Sequence, residues 1–130
     1  VGLFMAKVLT VRQPFAWAIL QGIKRVENRT WQTHFRGPLF IHAGKAKAFA
    51  ALLALPKGWT MPREEDLAYG AILGSVELTD CLPVEKMRRR DRLTTGPYCW
   101  LLSSPILLPV PYPCAGQVRI WDAPALEVLR

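Results

Sequence analysis

Gly22-Ile-Lys-Arg-Val-Glu-Asn-Arg29 follows directly on an apolar stretch and packs two cations, a carboxylate and a further arginine into one turn and one strand. With the strand beginning near Val26, Glu27 and Arg29 project from one face, because side chains two apart in a strand point the same way. Lys24 sits on the turn beside them. Three long charged side chains converging on a helix-to-strand corner make a poor core and a good polar site. The residues just before explain the corner. Pro14 opens a helix, and Phe15 to Leu20 are apolar nearly all round, which buries it on most sides. Gly22 is placed to end it in a left-handed cap. It therefore has a structural reason to be glycine whatever the site does.

Working outward, Lys7 to Val11 is rich in β-branched residues and reads as a first strand. Beyond the corner, Gly37-Pro38 reads as a turn, Leu39 to Ala43 as a short buried strand and Gly44 as its break. Lys45 to Leu55 is helical by composition, with Phe49, Leu52, Leu53 and Leu55 as apolar positions. Lys45 and Lys47 then fall in the first turn, where the helix dipole disfavours cations. A helix N-terminus with two lysines fits an anion; the alternative is that both lysines snorkel into water. Pro56 to Asp66, with Pro56, Gly58, Pro62 and the acidic Glu64-Glu65-Asp66, predicts an exposed connection with a short helix entering at Arg63.

Ala71 to Asp80 alternates around Glu77 and reads as a strand, with Ile72, Gly74, Val76 and Leu78 on one face and Leu73, Ser75, Glu77 and Thr79 on the other. Between Glu85 and Arg92, five cations against two carboxylates leave an excess of +3 in a helix or loop. Tyr98 to Leu102 and Gln117 to Trp121 read as strands. Ile106 to Tyr112 is apolar but interrupted by proline, which demotes it to an edge strand or an extended crossing segment. Five or six short strands with two or three helices predict an α+β fold, a small bent barrel whose closure removes exposed edges.

At 130 residues and 51% apolar content the chain predicts one domain over residues 1–130 with a real core. Its net charge of +7 and pI near 9.8 favour polyanionic partners. Cys81, Cys99 and Cys114 are odd in number and lack a Cys-x-x-Cys spacing, which fits buried thiols in a reducing cytoplasm. His34 and His42 have no metal-site partner at helical spacing, so neither a metal nor a cofactor is expected. No apolar run is long enough for a membrane span. The opening Val1-Gly-Leu-Phe-Met5 is too short and lacks the basic start of a secretory signal, and its first four residues read as an extension.

The pattern Gly-x-Lys-x-x-Glu-x-Arg, filled by Gly22, Lys24, Glu27 and Arg29, resembles the signature of the ASCH domain family, here of the single-domain prokaryotic type. The resemblance runs in order along the chain, from about Lys7 to Trp121. It takes in Leu9-Thr-Val-Arg-Gln-Pro-Phe-Ala-Trp17, Arg36-Gly37, Ile41-His-Ala-Gly-Lys45, Tyr98-x-Trp100 and Gly116-Gln-x-x-x-Trp121. It implies a PUA-like β-barrel and RNA binding, with a cleft between the first helix, the signature turn and the sheet.

For nucleic acid, Lys24 would neutralise a phosphate or bond a base carbonyl, and Arg29 would pair with a phosphate or with Glu27. Trp31, Tyr98 or Trp17 would stack on an unpaired base. Lys45 and the run of Arg88, Arg89 and Arg90 would position a backbone without reading bases, the alternative for the run being a solvated face. RNA, single-stranded or as a modified nucleoside, is the expected partner; the oligomeric state is open. The competing reading of Lys24, Glu27 and Arg29 is an internal salt-bridge network that pins the turn to the barrel.

Some ASCH-like proteins are hydrolases, which the resemblance extends to this chain as an alternative. One branch deacylates modified cytidine with a threonine, a lysine and a glutamate; Lys24 matches the lysine and Glu77 the glutamate, but the threonine position falls on Glu27. A carboxylate there would serve as general base instead. Cleavage of RNA would draw on Lys24, Glu27, Arg29, Tyr98 and Ser103. His42 reads as a satisfied core residue. A third reading is a protein-interaction module, since the family also occurs in transcriptional coactivators, with exposed aromatics such as Trp59 as its contact surface.

Overall fold

In a computed structural model that describes residues 5–52 and 55–124, six strands form one mixed sheet. The strands are β1 (Met5–Gln13), β2 (Val26–Arg29), β3 (Gly37–Lys47), β4 (Ala71–Pro83), β5 (Tyr98–Pro113) and β6 (Ile120–Pro124). Their order is β2-β5-β4-β3-β1-β6; β1 and β3 run parallel, and the other neighbours are antiparallel. The expected barrel is therefore not closed. The two edges, β2 and β6, are four and five residues long and do not pair with each other.

Helical content is also lower than expected. Among the described residues one α-helix, α1 (Phe15–Leu20), is joined by three single 3-10 turns, Phe49–Ala51, Glu64–Asp66 and Val84–Lys86. The helix predicted over Lys45 to Leu55 is not formed: β3 runs through a buried Gly44 as far as Lys47, which pairs with Gln13 of β1. Strand pairing has overridden the helix propensity of an alanine-rich run. The helix N-terminal anion site expected at Lys45 and Lys47 goes with it. Leu53, assigned to that helix, lies outside the described residues, as do the first four residues. No helix of the described residues is long and apolar enough to cross a membrane.

The core lies on both faces of the sheet. Leu9 and Val11 of β1 pack with Ala16, Ile19 and Leu20 of α1 and with Leu39, Ile41 and Trp100, while the alternate Ala6 and Val8 pack with Ile72, Trp121 and Ala123 on the opposite face. This is the period of two that a strand imposes. The straight alternation read for Ala71 to Asp80 fails. Ile72 joins one face, but Leu73, Val76 and Leu78 join the other, because β4 slips register against β5 between Ile72 and Gly74 and again between Ser75 and Glu77. Bulges move side chains across a sheet, and composition does not mark them.

At one of these irregularities only glycine fits: a Cβ on Gly74 would stand 2.2 Å from the Ile106 carbonyl oxygen. The proline-rich run is the second half of β5. Because β2 covers β5 only from Tyr98 to Leu101, the rest of that side is an unpaired edge among the described residues. Pro105, Pro109, Pro111 and Pro113 lie along it and remove backbone donors, which blunts the edge against further pairing.

Candidate functional site

The corner read from the sequence forms as expected. The helix stops at Leu20, Gly22 turns the chain with φ +78, and the N–H groups of Ile23 and Lys24 both donate to the Ala18 carbonyl at 3.0 and 3.1 Å. These bonds hold the Lys24 backbone against the helix end. The Lys24 side chain is 3% exposed and Glu27 7%. Lys24 Nζ donates to the Val26 carbonyl and, at 3.0 Å, to Glu27 Oε1, and lies 5.5 Å from the centre of the Phe15 ring. Glu27 Oε2 accepts from Arg29 Nε at 3.0 Å, and the far end of Arg29 donates to the Thr10 carbonyl at 2.8 Å. Glu27 thus bridges two cations, one through each oxygen, and Arg29 ties the bridge to β1.

This trio walls a cavity of about 450 Å³ between α1, the ends of β1 and β2, and the loop before β5. The cavity is lined by four cations, Arg12, Lys24, Arg29 and Arg92, against the single carboxylate of Glu27. Arg12 and Arg92 are exposed, and neither makes an ion pair among the described residues. A second cavity, of about 600 Å³, shares Lys24 and is lined by Ile19, Arg25, Trp59, Ser103 and Ser104. It is the roomier, but the charge is concentrated in the first. Among the described residues no three metal-ligating side chains converge.

The other residues read as site candidates are dispersed. Glu77 is half-buried on β4, opposite Pro38 and Ser103, and lines neither cavity. Tyr98 lies opposite Arg29 in the β2–β5 register, but its ring packs on the core. Trp31 stands edge-to-face on Trp100, with centroids 4.7 Å apart, and carries the Arg119 guanidinium 4.1 Å from its ring centre. Its stacking surface is already occupied. Trp17 sits edge-on to Trp59, which is 43% exposed. Lys45, Arg88, Arg89 and Arg90 are exposed on β3 and on the loop before β5. His42 is a satisfied core residue, with Nδ1 3.2 Å from Thr10 Oγ1 and Nε2 2.7 Å from the Cys114 carbonyl. Burial pushes the Cys99 thiol up, against a partial downward pull from Arg90, and pushes up that of Cys114 as well.

Sequence reasoning missed Arg12 and gave no role to Asn28. Arg12 lies one residue past the expected end of β1, in the strand's longer observed run to Gln13. Asn28 had a signal: asparagine is depleted in strands, so one inside a four-residue strand invites a reason.

The ASCH domain family matches residues 9–101 of this chain. Human activating signal cointegrator 1 is 32% identical over 124 residues, which take in 87% of this chain, and its mouse counterpart is 30% identical over the same length. The chain spans 21% of the length of each of these relatives. Among solved structures, a mutant ZmASCH protein from Zymomonas mobilis is similar in fold, with a TM-score of 0.58 at 13% identity, covering 95% of this chain and 91% of that one.

Proposed function

Since the chain belongs to the ASCH domain family, we propose that it binds single-stranded nucleic acid, RNA before DNA, by seating one nucleotide in the cavity walled by Lys24, Glu27 and Arg29. The observation that carries this reading is the charge of that cavity, four cations to one carboxylate in about 450 Å³. That volume is within the range of small-ligand sites, roughly 300 to 1,000 Å³, and too small for a duplex. A concave site lined by one sign of charge concentrates its counter-charged ligand. The exposed Arg88, Arg89 and Arg90 would extend the contact along a phosphate backbone.

A hydrolase draws less support. Both oxygens of Glu27 bridge Lys24 and Arg29 at 3.0 Å, which ties the carboxylate to the two cations rather than to a substrate proton. Glu77, the other carboxylate of that reading, stands outside the cavity. For an interaction module, the half-open Trp59 and the exposed Ile106, Leu107 and Val110 are the surface to test.

The test is an incubation with labelled single-stranded RNA at low and high salt, following retention and cleavage, with wild type beside Lys24→Met and Arg29→Ala, each checked for folding. Salt-sensitive retention of intact RNA that weakens in folded variants is the expected result. Shortened RNA lost in the variants would make the protein a nuclease. Absence of both retention and cleavage would overturn the reading and turn attention to protein partners.

A further inference from the structure

Asn28 is the one polar side chain of β2 outside the ionic trio, and its bonding is unusual for a strand residue. Its Nδ2 donates to the Leu93 carbonyl at 2.7 Å, and its Oδ1 accepts from the N–H groups of Thr95 and Gly96 at 2.9 and 2.8 Å. One side chain thus makes three bonds to the backbone of a loop 65 to 68 residues away in sequence. That loop is closed from within by Asp91, whose Oδ1 accepts from the N–H of Leu93 at 2.8 Å and from the hydroxyl of Thr94 at 3.1 Å. Arg92 sits between the two clasps. Asn28 thereby ties the arginine-rich loop to the signature strand.

The consequence lies in what the loop brings to the cavity. Lys24 and Arg29 are already engaged by Glu27, so their charge contributes to the field on the wall while part of their donor capacity is occupied. The two remaining cations, Arg12 from the end of β1 and Arg92 from the tethered loop, are exposed and without ion pairs among the described residues. Guanidinium groups present planar forks of donors that match phosphate oxygens bidentately. They come from different elements and line the same cavity, whose other walls include the Phe15 ring and the Thr95–Gly96 backbone.

We propose that Arg12 and Arg92 form a clamp for the phosphate of a nucleotide whose base or sugar enters the cavity, and that Asn28 is the positioning residue that holds Arg92 in it. The proposal rests on the nucleotide-binding reading and adds to it a division of labour. The buried trio shapes the wall, and the two free arginines carry the phosphate dependence. The phosphate could belong to a free nucleoside monophosphate or to the backbone of a single strand.

Binding of the four nucleosides, their 5′-monophosphates and a short single-stranded RNA with a 5′-hydroxyl is measured by calorimetry. The proteins are wild type, Arg12→Ala, Arg92→Ala, the variant with both arginines replaced, Asn28→Ala, Asn28→Ala combined with Arg92→Ala, and Arg63→Ala as a cation outside the cavity. In wild type, the phosphate is expected to improve affinity over the matching nucleoside by about tenfold or more, the scale of a charge-assisted contact. The variant with both arginines replaced is expected to lose most of that ratio, and Arg63→Ala to keep it. Asn28→Ala is expected to lower the ratio toward that of Arg92→Ala and to add nothing when combined with Arg92→Ala alone, a dependence that general destabilisation would not produce.

If the RNA shows the same dependence on Arg12 and Arg92 as the best monophosphate, the clamp takes a backbone phosphodiester; if only the monophosphates do, it takes a terminal phosphate. A wild-type phosphate preference that survives in the variant with both arginines replaced overturns the clamp and leaves the nucleotide-binding reading standing. An effect of Asn28→Ala that adds in full to that of Arg92→Ala overturns its positioning role. Failure of wild type to bind any of these ligands overturns both readings together.

Discussion

Replacing Glu27 by glutamine should cost this protein more than replacing either of its cationic partners. Glu27 is 7% exposed and bridges Lys24, itself 3% exposed, to Arg29 through two 3.0 Å contacts. Glu27→Gln preserves shape and leaves two cations facing a neutral amide, one of them fully enclosed. Removing one partner of a buried pair costs about 3–5 kcal/mol, because the other charge is left uncompensated. For a chain of this size that is roughly 10–20 °C in the thermal midpoint, at about 3–5 °C per kcal/mol. Lys24→Met is the milder change. It removes the enclosed charge and leaves the Glu27–Arg29 pair intact, at a cost of about 1–3 kcal/mol for the bonds lost by Glu27 and the Val26 carbonyl. Combining the two should cost less than their sum, since the second change removes the charge that the first exposed. The assay is thermal and urea denaturation of the two single variants and the double. A midpoint for Glu27→Gln within about 3 °C of wild type, or strictly additive losses, would refute the claim that the trio is one coupled unit.

Other consequences are simpler to state. Gly74→Ala puts a Cβ 2.2 Å from the Ile106 carbonyl, so the β4–β5 crossing must shift, and a loss of about 1–3 kcal/mol in urea unfolding is expected. Thr10→Val removes the hydroxyl that meets His42 Nδ1 and accepts from Trp121 Nε1, both at 3.2 Å, and should lower stability by about 1–3 kcal/mol with its measure in the same titration. Burial raises the Cys99 thiol above its ordinary 9.0, so its contribution is complete below that value and is lost as pH rises through the folded-state value. Urea midpoints should accordingly fall less steeply in alkali for Cys99→Ala than for wild type. Substituting Arg88, Arg89 and Arg90 together by alanine should flatten the dependence of log affinity for single-stranded RNA on log salt by about 2, if each contacts one phosphate.

The corner was legible because its signals are local. A glycine after an apolar helix dictates the left-handed cap, and a two-residue spacing dictates that Glu27 and Arg29 share a face; both hold in the structure, with φ +78 at Gly22 and a 3.0 Å pair. The same locality misled over Lys45 to Leu55. Alanine-rich composition favours a helix, but β1 and β4 together offer β3 pairing partners along most of its length, and nothing near Lys45 in sequence reports on Gln13. Glu77 failed to reach the cavity for a related reason. Its face depends on bulges in β4 that are set by the crossing of Gly74 over Ile106, a contact between residues 32 apart. Arg92 was visible as one charge in a run, but the Asn28 bond to the carbonyl of its neighbour Leu93 joins residues 65 apart and leaves no local signal in the sequence.

The placement of the ionic trio bears on how such a site would work. A buried salt bridge is weak evidence for stability, since its desolvation cost offsets much of its attraction and an apolar replacement of equal volume is often no less stable. Pinning a turn to a sheet could be done by leucines. What leucines cannot do is keep a net positive wall beside a cavity. Glu27 holds Lys24 and Arg29 at fixed positions and leaves the trio with one excess positive charge. Arg12 and Arg92 bring that to three at the cavity as a whole. Preorganised charge of this kind costs no reordering when an anion arrives, whereas arginines swinging free on a surface loop lose rotamer freedom on contact. If the proposed function holds, the trio serves as a preorganised receptor for negative charge as well as a clamp on the fold.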